Sequence, residues 1–257
     1  MQTPSTYIIG YTGLDHAGIY RYLVDTDQKD FLEDLKVAIN SGISPGEILC
    51  SFYAKLCYRS LTADKNSNIS RVRSVADNLA GCFAHGHGAV FEHCTINFVT
   101  TNCSRVFTHE LVRHRVGMAY SQTSGRYCTV EDAELVLPPE FPLPEEMGYV
   151  LEMIKDLVQS LRERLKVDSL PMSERKKLTS TLRRIMPNGC TNEIGWTANI
   201  RSLRHLIELR TNRHAEWEIR QVFNDVAELV LNKFPGILHA HEREEIDGLY
   251  EYTNLQV

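Results

Sequence analysis

The chain has 257 residues, of which 43% are apolar and 24% charged, with a formal net charge of −5. Such a composition supports a hydrophobic core and excludes both a disordered chain and one built to coat nucleic acid, so any polyanion site must be a local arginine cluster. Seven cysteines without a CxxC pair fit free thiols rather than a disulfide framework, and no apolar run approaches membrane-spanning length.

The opening run MQTPSTYIIGYTG lacks the basic flank and long apolar core of a signal peptide, so a cytoplasmic protein is expected. Tyr7 to Tyr11 is a short β-like run, and Asp25 to Asn40 is an acidic, helix-compatible stretch. Ser44-Pro45-Gly46-Glu47 marks a helix start, with Ser44 as N-cap and Pro45 in the first turn. Ile48, Leu49, Phe52, Leu56 and Cys57 are predicted on its apolar side. Another helix is predicted over 70–84, ending near Gly86. The β-branched and aromatic content of Glu92 to Thr100 predicts a strand. Val106, Phe107, Leu111 and Val112 then fall at helical spacing and predict a helix over 104–115.

Pro138 to Pro144 reads as a proline-rich surface connector, followed by helices at 146–166 and 172–185. Pro187-Asn188-Gly189 is a turn, and Ile194 to Ile200 a short strand. The last helices are predicted over 202–210 and 215–231, the latter with Ile219, Val222, Phe223, Val226, Leu229 and Val230 inward. Helices interrupted by a few strands, with no internal repeat, predict one α+β domain over 1–257.

The predicted helix over 104–115 ends in Arg113-His114-Arg115, and the hydroxyl-rich stretch Ser121-Gln122-Thr123-Ser124-Gly125-Arg126-Tyr127 follows closely. Guanidinium forks bind phosphate through paired hydrogen bonds, so this density of donors suits a polyanion. On spacing alone, a solvated basic helix end explains the triplet equally well. Arg201 and His205 stand four apart, as do Arg210 and His214, and His214 and Glu218. On one unbroken helix Arg210, His214 and Glu218 would form a polar column, for which an exposed ion-pair ladder is the plainer reading. No GxGxxG or GxxxxGKS/T motif occurs, so neither a Rossmann nor a P-loop site is supported. His85 with His87, and His239 with His241 and Glu242, lack a closed ligand set at zinc-site spacing, so no metal is expected.

Three segments in order, HGHGAVFEHCTINF (85–98), ELVRHRVGMAYSQTSGRY (110–127) and RRIMPNGCTNEIGWTANIRSLRHLIELRTNRHAEWEIR (183–220), resemble the flavin-dependent thymidylate synthases (ThyX). The signature of that family is an RHR triplet followed by a serine and an Arg-Tyr pair, and the likeness spans about residues 45–230. The resemblance implies a ThyX-like α+β fold of mixed helices around a small, largely antiparallel sheet, in a homotetramer with sites between subunits. It further implies reductive methylation of deoxyuridylate (dUMP) to thymidylate. FAD would be the cofactor, methylenetetrahydrofolate the carbon donor and NADPH the reductant; neither nucleic acid nor a membrane is an expected partner.

Carried over position by position, the family's flavin contacts fall on His93, Thr95, Arg113, His114, Arg115, Gln122, Asn199, Ile200, Arg201, His205 and His214. Its nucleotide contacts fall on Glu110, Arg113, Gln122, Thr123, Ser124, Gly125, Arg126, Arg183 and Arg210. Arg210 matches the catalytic arginine that polarises the uracil ring, where a cation stabilises enolate charge as carbon 5 becomes nucleophilic. Cys57, in AKLCYRS, resembles a flavin-proximal segment, though a buried small side chain explains it as well.

Two departures touch the nucleotide loop. Family members carry glutamine three residues before the triplet, where this chain has Glu110, and an ionised carboxylate would repel a phosphate. Glu110 must therefore face an arginine or a sugar hydroxyl, or be protonated. Eight residues separate Arg115 from Ser124 where the family has seven, and Gly117 is the residue able to absorb the extra one as a bulge or turn. The alternative substrate is accordingly another pyrimidine nucleotide such as UMP, with Glu110 accepting a bond from its 2′-hydroxyl. A non-catalytic RNA-binding module on the 113–126 loop, which the negative net charge opposes, and a flavoprotein that only oxidises NADPH complete the readings.

Overall fold

In the computed structural model, which describes residues 2–125, 132–239 and 241–255 (the side chain of Asp64 apart), strand β1, Ser5–Tyr11, comes first. Helices α1, His16–Asp25, and α2, Lys29–Asn40, follow. The helix-compatible stretch 25–40 is thus helical from Lys29 onward, and Asp27, at a left-handed φ of 53° that a right-handed helix cannot accommodate, separates it from α1. α3, Pro45–Cys57, starts as its sequence demands. Ser44 Oγ accepts from the Glu47 N–H at 3.3 Å, and the Glu47 carboxylate accepts from the Ser44 N–H at 3.0 Å. Its inner face is rotated from the expected one: Ile48, Cys50, Ala54 and Lys55 are buried, whereas Leu56 and Cys57 are exposed. Lys55 tolerates burial because Asp34 pairs with it at 2.9 Å.

α4, Val75–Ala84, is capped by Ser74 and is shorter than the expected 70–84. A 3-10 turn, Gly88–His93, leads into β2, Thr95–Ser104, which starts later than Glu92 and runs beyond Thr100. α5, Arg105–Leu111, stops before the RHR triplet, which lies in the turn to β3, Met118–Gln122, a strand not expected from the sequence. α6, Pro144–Arg164, and α7, Met172–Leu182, precede β4, Thr191–Asn199. α8, Ile200–Thr211, and α9, Trp217–Lys233, come next. The hairpin β5, Glu242–Ile246, and β6, Leu249–Thr253, turns on Asp247-Gly248, both at positive φ as a two-residue hairpin turn requires.

The main sheet has the order β1-β2-β4-β3, with every neighbouring pair antiparallel, so the fold is α+β with helices around a small antiparallel sheet. Strand side chains alternate between faces, and one face is apolar. Ile96 pairs with Ala198, Phe98 with Trp196 and Thr100 with Ile194, all buried. Phe98 and Trp196 stack at 4.2 Å, while Trp196 Nε1 donates to Thr100 Oγ1 at 3.1 Å. Leu203, Leu206 and Ile207 of α8 join this core with Ile219, Val222, Phe223, Val226 and Val230 of α9. Leu229, expected inward, is only half-buried.

Register then decides what meets at the sheet's ends. Asn199 N–H donates to the Gly117 carbonyl, and Ile200 N–H to the Cys94 carbonyl, each at 2.9 Å. The RHR turn, the Glu92–Cys94 segment and the β4–α8 junction therefore share one end. At the other end of β3, Gln122 pairs with Ile194 and Thr123 N–H donates to the Glu193 carbonyl at 2.9 Å.

Candidate functional site

Gly117 makes the RHR turn possible. Its φ is +66°, and a Cβ there would run into the Asn199 amide and the Ser202 hydroxyl. Those groups are already committed: Asn199 Oδ1 accepts from the Ser202 N–H at 2.8 Å and caps α8, while Ser202 Oγ donates to the Val116 carbonyl at 2.8 Å. From β3, the Tyr120 hydroxyl donates to the carbonyls of Leu111, at 2.9 Å, and His114, tying the end of α5 and the middle of the triplet to the strand.

These contacts set Arg113, His114 and Arg115 along one wall of a cavity of about 590 Å³, with Arg201 and His205 of α8 on the other. Val116, Met118 and Leu206 supply apolar lining. Arg113 and Arg115 are exposed and have no carboxylate partner among the described residues, whereas Arg201 Nη1 pairs with Glu92 at 2.6 Å.

Behind this wall the charges are locked. Arg210 Nη1 pairs with Glu110 at 2.8 Å, and Arg210 Nε donates to His114 Nε2 at 2.9 Å. The accepting Nε2 is therefore unprotonated, which puts the ring proton on Nδ1. Burial, followed by the charges of Arg210 and His205, brings His114 down from the ordinary 6.5 to about 4. α5, which carries Glu110, is anchored by Glu218 of α9. That carboxylate accepts from the Ser104 N–H at 2.6 Å and from its hydroxyl, and burial pushes the Glu218 carboxyl upward.

The polar column that one unbroken helix would give does not form, because two separate helices stand here, as the sequence predicts. α8 ends at Thr211, Asn212 Oδ1 accepts from the His214 N–H at 3.0 Å, and a new helix begins at Trp217. Glu218 is buried against Ser104, while His214 is exposed and lines a cavity of about 410 Å³ with His205 and Arg210. Neither His93 nor Thr95 lines the RHR cavity: the His93 ring stacks on Tyr53 at 3.9 Å, and Thr95 Oγ1 meets Thr12 Oγ1 at 3.3 Å. Ile200 is buried in the core. Glu92 is the residue of its segment that reaches the cavity; its only sequence signal was its place beside His93.

The residues expected to form a nucleotide loop sit elsewhere. Gln122, Thr123, Ser124 and Gly125 lie at the far end of β3 from the triplet, a separation of about 14 Å along an extended strand. Gln122 Nε2 donates to Thr108 Oγ1 at 3.1 Å. Two guanidiniums flank Gly125: a Cβ built on it would stand 3.6 Å from Arg105 Nη2 and 4.0 Å from Arg183 Nη1. Arg105 carried no motif signal. Arg126 lies outside the described residues.

The other histidine pairs are occupied locally. His85 Nδ1 bonds to the Gly81 carbonyl at 2.8 Å and His241 Nδ1 to the Leu238 carbonyl at 2.7 Å, while His239 stacks on Phe83. Among the described residues, no three His, Cys, Asp or Glu side chains converge as a metal site, and no helix is long and apolar enough to cross a membrane.

A family model described as thymidylate synthase complementing protein matches residues 43–236, a span that includes the RHR turn, Arg183 and all of α8. The chain is similar to a flavin-dependent thymidylate synthase of Mycobacterium avium (strain 104), 30% identical over 204 residues, covering 75% of this chain and 78% of the relative. A relative of the same description from Mycobacterium tuberculosis shows the same identity and coverage. One from Mycolicibacterium gilvum is 32% identical over 188 residues, covering 69% of this chain and 72% of the relative.

Proposed function

Since the chain belongs to the thymidylate synthase complementing protein family, we propose that it is a flavin-dependent enzyme converting dUMP to thymidylate by reductive methylation. FAD is its cofactor, methylenetetrahydrofolate its carbon donor and NADPH its reductant. The observation that carries this reading is the one cavity onto which Arg113, Arg115 and Arg201 converge from distant segments.

The cavity fits a dinucleotide. Exposed guanidiniums suit a pyrophosphate, the Val116–Met118–Leu206 patch suits a ring face, and about 590 Å³ is an ordinary size for a cofactor site. Arg113, Arg115 and Arg201 would hold the phosphates, with His205 beside them. When bound, FAD supplies the reducing equivalents for the transferred carbon.

Arg210 is the group that acts on the pyrimidine. Its Nε and Nη1 are held by His114 and Glu110, which leaves Nη2 uncommitted among the described residues and fixes its direction. A guanidinium so held stabilises negative charge on a uracil carbonyl oxygen as carbon 5 attacks, without reorganising during the reaction. His114 is a positioning residue: neutral at ordinary pH, it accepts the bond that aims Arg210. Glu110 does the same from the other side. Because its Oε2 is engaged by Arg210, this arrangement favours dUMP over a substrate whose 2′-hydroxyl would need that carboxylate.

Arg183, with Arg105 beside it and the Ser124–Gly125 loop between, would receive the nucleotide's phosphate. That loop stands the length of β3 from the RHR cavity in the same chain. The separation supports a homotetramer in which the loop of one copy completes the cavity of another.

The purified protein should be yellow, bleach with NADPH when dUMP is present, and yield thymidylate only when methylenetetrahydrofolate is added. A colourless protein, or NADPH oxidation without thymidylate, refutes the reading.

A further inference from the structure

Helix α2 precedes the span that the family model matches, yet its contacts reach the wall of a second cavity. That cavity, about 650 Å³, lies between α3, α4 and the Gly88–His93 turn, and Arg201 lines both it and the cavity holding Arg113 and Arg115. One wall is the segment between α3 and α4, which contributes Ile69, Arg71 and Arg73. From Asn66 to Ser74 this segment has neither helix nor strand, so its place depends on what holds its ends.

Both ends are held by α2. Asp30 and Asp34 stand four residues apart and share one face of that helix. The Asp30 carboxylate accepts from the Thr62 hydroxyl and from the Ala63 N–H, each at 2.9 Å, and the Phe31 N–H donates to the Leu61 carbonyl at 2.9 Å. At the far end, the Asp34 carboxylate accepts from the Val75 N–H at 3.3 Å and pairs with the buried Lys55 at 2.9 Å. The Lys55 ammonium also donates to the Arg73 carbonyl at 2.5 Å. Phe31, fully buried, packs on Phe52 of α3 at 5.8 Å between centroids, which fixes α2 on the core.

We propose that α2 is a brace for the 61–75 segment, and that Asp30 and Asp34 are positioning residues that act on the reaction through Arg71 and Arg73. Neither aspartate lines either cavity, so an effect on turnover must pass through the segment. Without its end restraints an irregular segment gains conformational freedom, and two exposed guanidiniums leave the wall with it. Cations on such a wall bear on an anionic co-substrate. The kinetic part of the inference therefore rests on the proposed reaction, which uses two such molecules.

The test compares full-length, flavin-loaded wild type with Asp30→Asn. Amide exchange followed by mass spectrometry should speed up about tenfold across 61–74, the scale for weakening a charge-assisted bond, while α8 and β2 exchange as before. Trypsin should cut sooner after Lys65, Arg71 and Arg73. In turnover, KM for NADPH or for methylenetetrahydrofolate should rise about three- to tenfold with kcat and flavin absorbance held, the pattern of lost binding rather than lost chemistry. Asp30→Glu, which keeps the charge, should recover most of both effects. Should Asp30→Asn misfold, Asp34→Asn/Lys55→Met loosens the other end without leaving a buried charge unpaired.

Unchanged exchange across 61–74 overturns the proposal, as does a loosened segment with both KM values at the wild-type level. Loss of flavin, kcat and thermal midpoint together would make α2 a support of the fold alone, and overturns it too. Exchange and proteolysis need neither flavin nor substrate. If wild type is colourless or makes no thymidylate, the functional reading falls, and these two measurements still decide whether α2 holds the segment.

Discussion

Arg210 and the pair Arg113 and Arg115 lie on two sides of His114, yet they live in opposite electrostatic conditions. Arg210 is largely buried, clamped by Glu110 at 2.8 Å and by His114 at 2.9 Å. Arg113 and Arg115 are exposed on the cavity wall with no carboxylate partner among the described residues. A clamped cation is suited to meeting charge that appears only during a reaction, because its direction is set beforehand. An open cation is suited to holding charge that a ligand brings with it, at the cost of ordering a long side chain.

The strongest way to break this comparison is Arg210→Ala. It should lower kcat for thymidylate formation by about 10²–10³-fold, the scale for loss of one preorganised electrostatic donor, while the flavin content of the protein holds. Equal loss of flavin would erase the distinction between the two regions. Gly117→Ala strikes the turn that both regions share. Left-handed strain together with the clash against Asn199 and Ser202 should cost about 2–4 kcal/mol, read as a lower urea midpoint.

Arg113→Gln should leave Arg210 aimed and weaken flavin binding by roughly tenfold, measured by flavin retention on dialysis and its dependence on salt. Glu110→Gln keeps a bond to Arg210 but removes the ion pair. We expect kcat to fall by severalfold with dUMP still preferred over UMP; a switch of preference would assign the carboxylate to the sugar instead.

The smallest effect is one of pH. His114 titrates at about 4 when folded against 6.5 ordinarily, so between those values the unfolded chain binds more protons than the native protein. Its contribution to stability is therefore complete above about pH 6.5 and declines as the pH falls towards about 4. Below that, protonated Nε2 can no longer accept from Arg210. Thermal midpoints of wild type and His114→Gln across this window should differ in slope, the variant being the flatter.

Much of the fold was legible because the forces that set it act over a few residues. Ser44, Pro45 and Glu47 announced the start of α3, and the inward residues of α9 followed helical spacing closely. Elements failed where that local signal was thin. β3, MAYSQ, has no β-branched residue and is held by pairing to β4, not by propensity. The break between α8 and α9 was legible, whereas the inward turn of Lys55 depended on Asp34, an element away. The same limit governed the site: Glu92 and Arg105 stood in no readable pattern, and nothing local told that His93 would face Tyr53.

The amino-acid sequence by itself determined the kinds of groups available: an arginine-rich turn, a glycine able to bend it, and a carboxylate three residues before it. Tertiary structure alone decided which of them meet. Antiparallel pairing of β2, β3 and β4 sets Asn199 beside Gly117 and Ile200 beside Cys94, and thereby brings Arg201 opposite Arg113 while leaving Gly125 at the other end of the strand. Strand register is fixed by burying Ile96, Phe98 and Trp196 on one face, a condition satisfied only when segments remote in the chain are packed together.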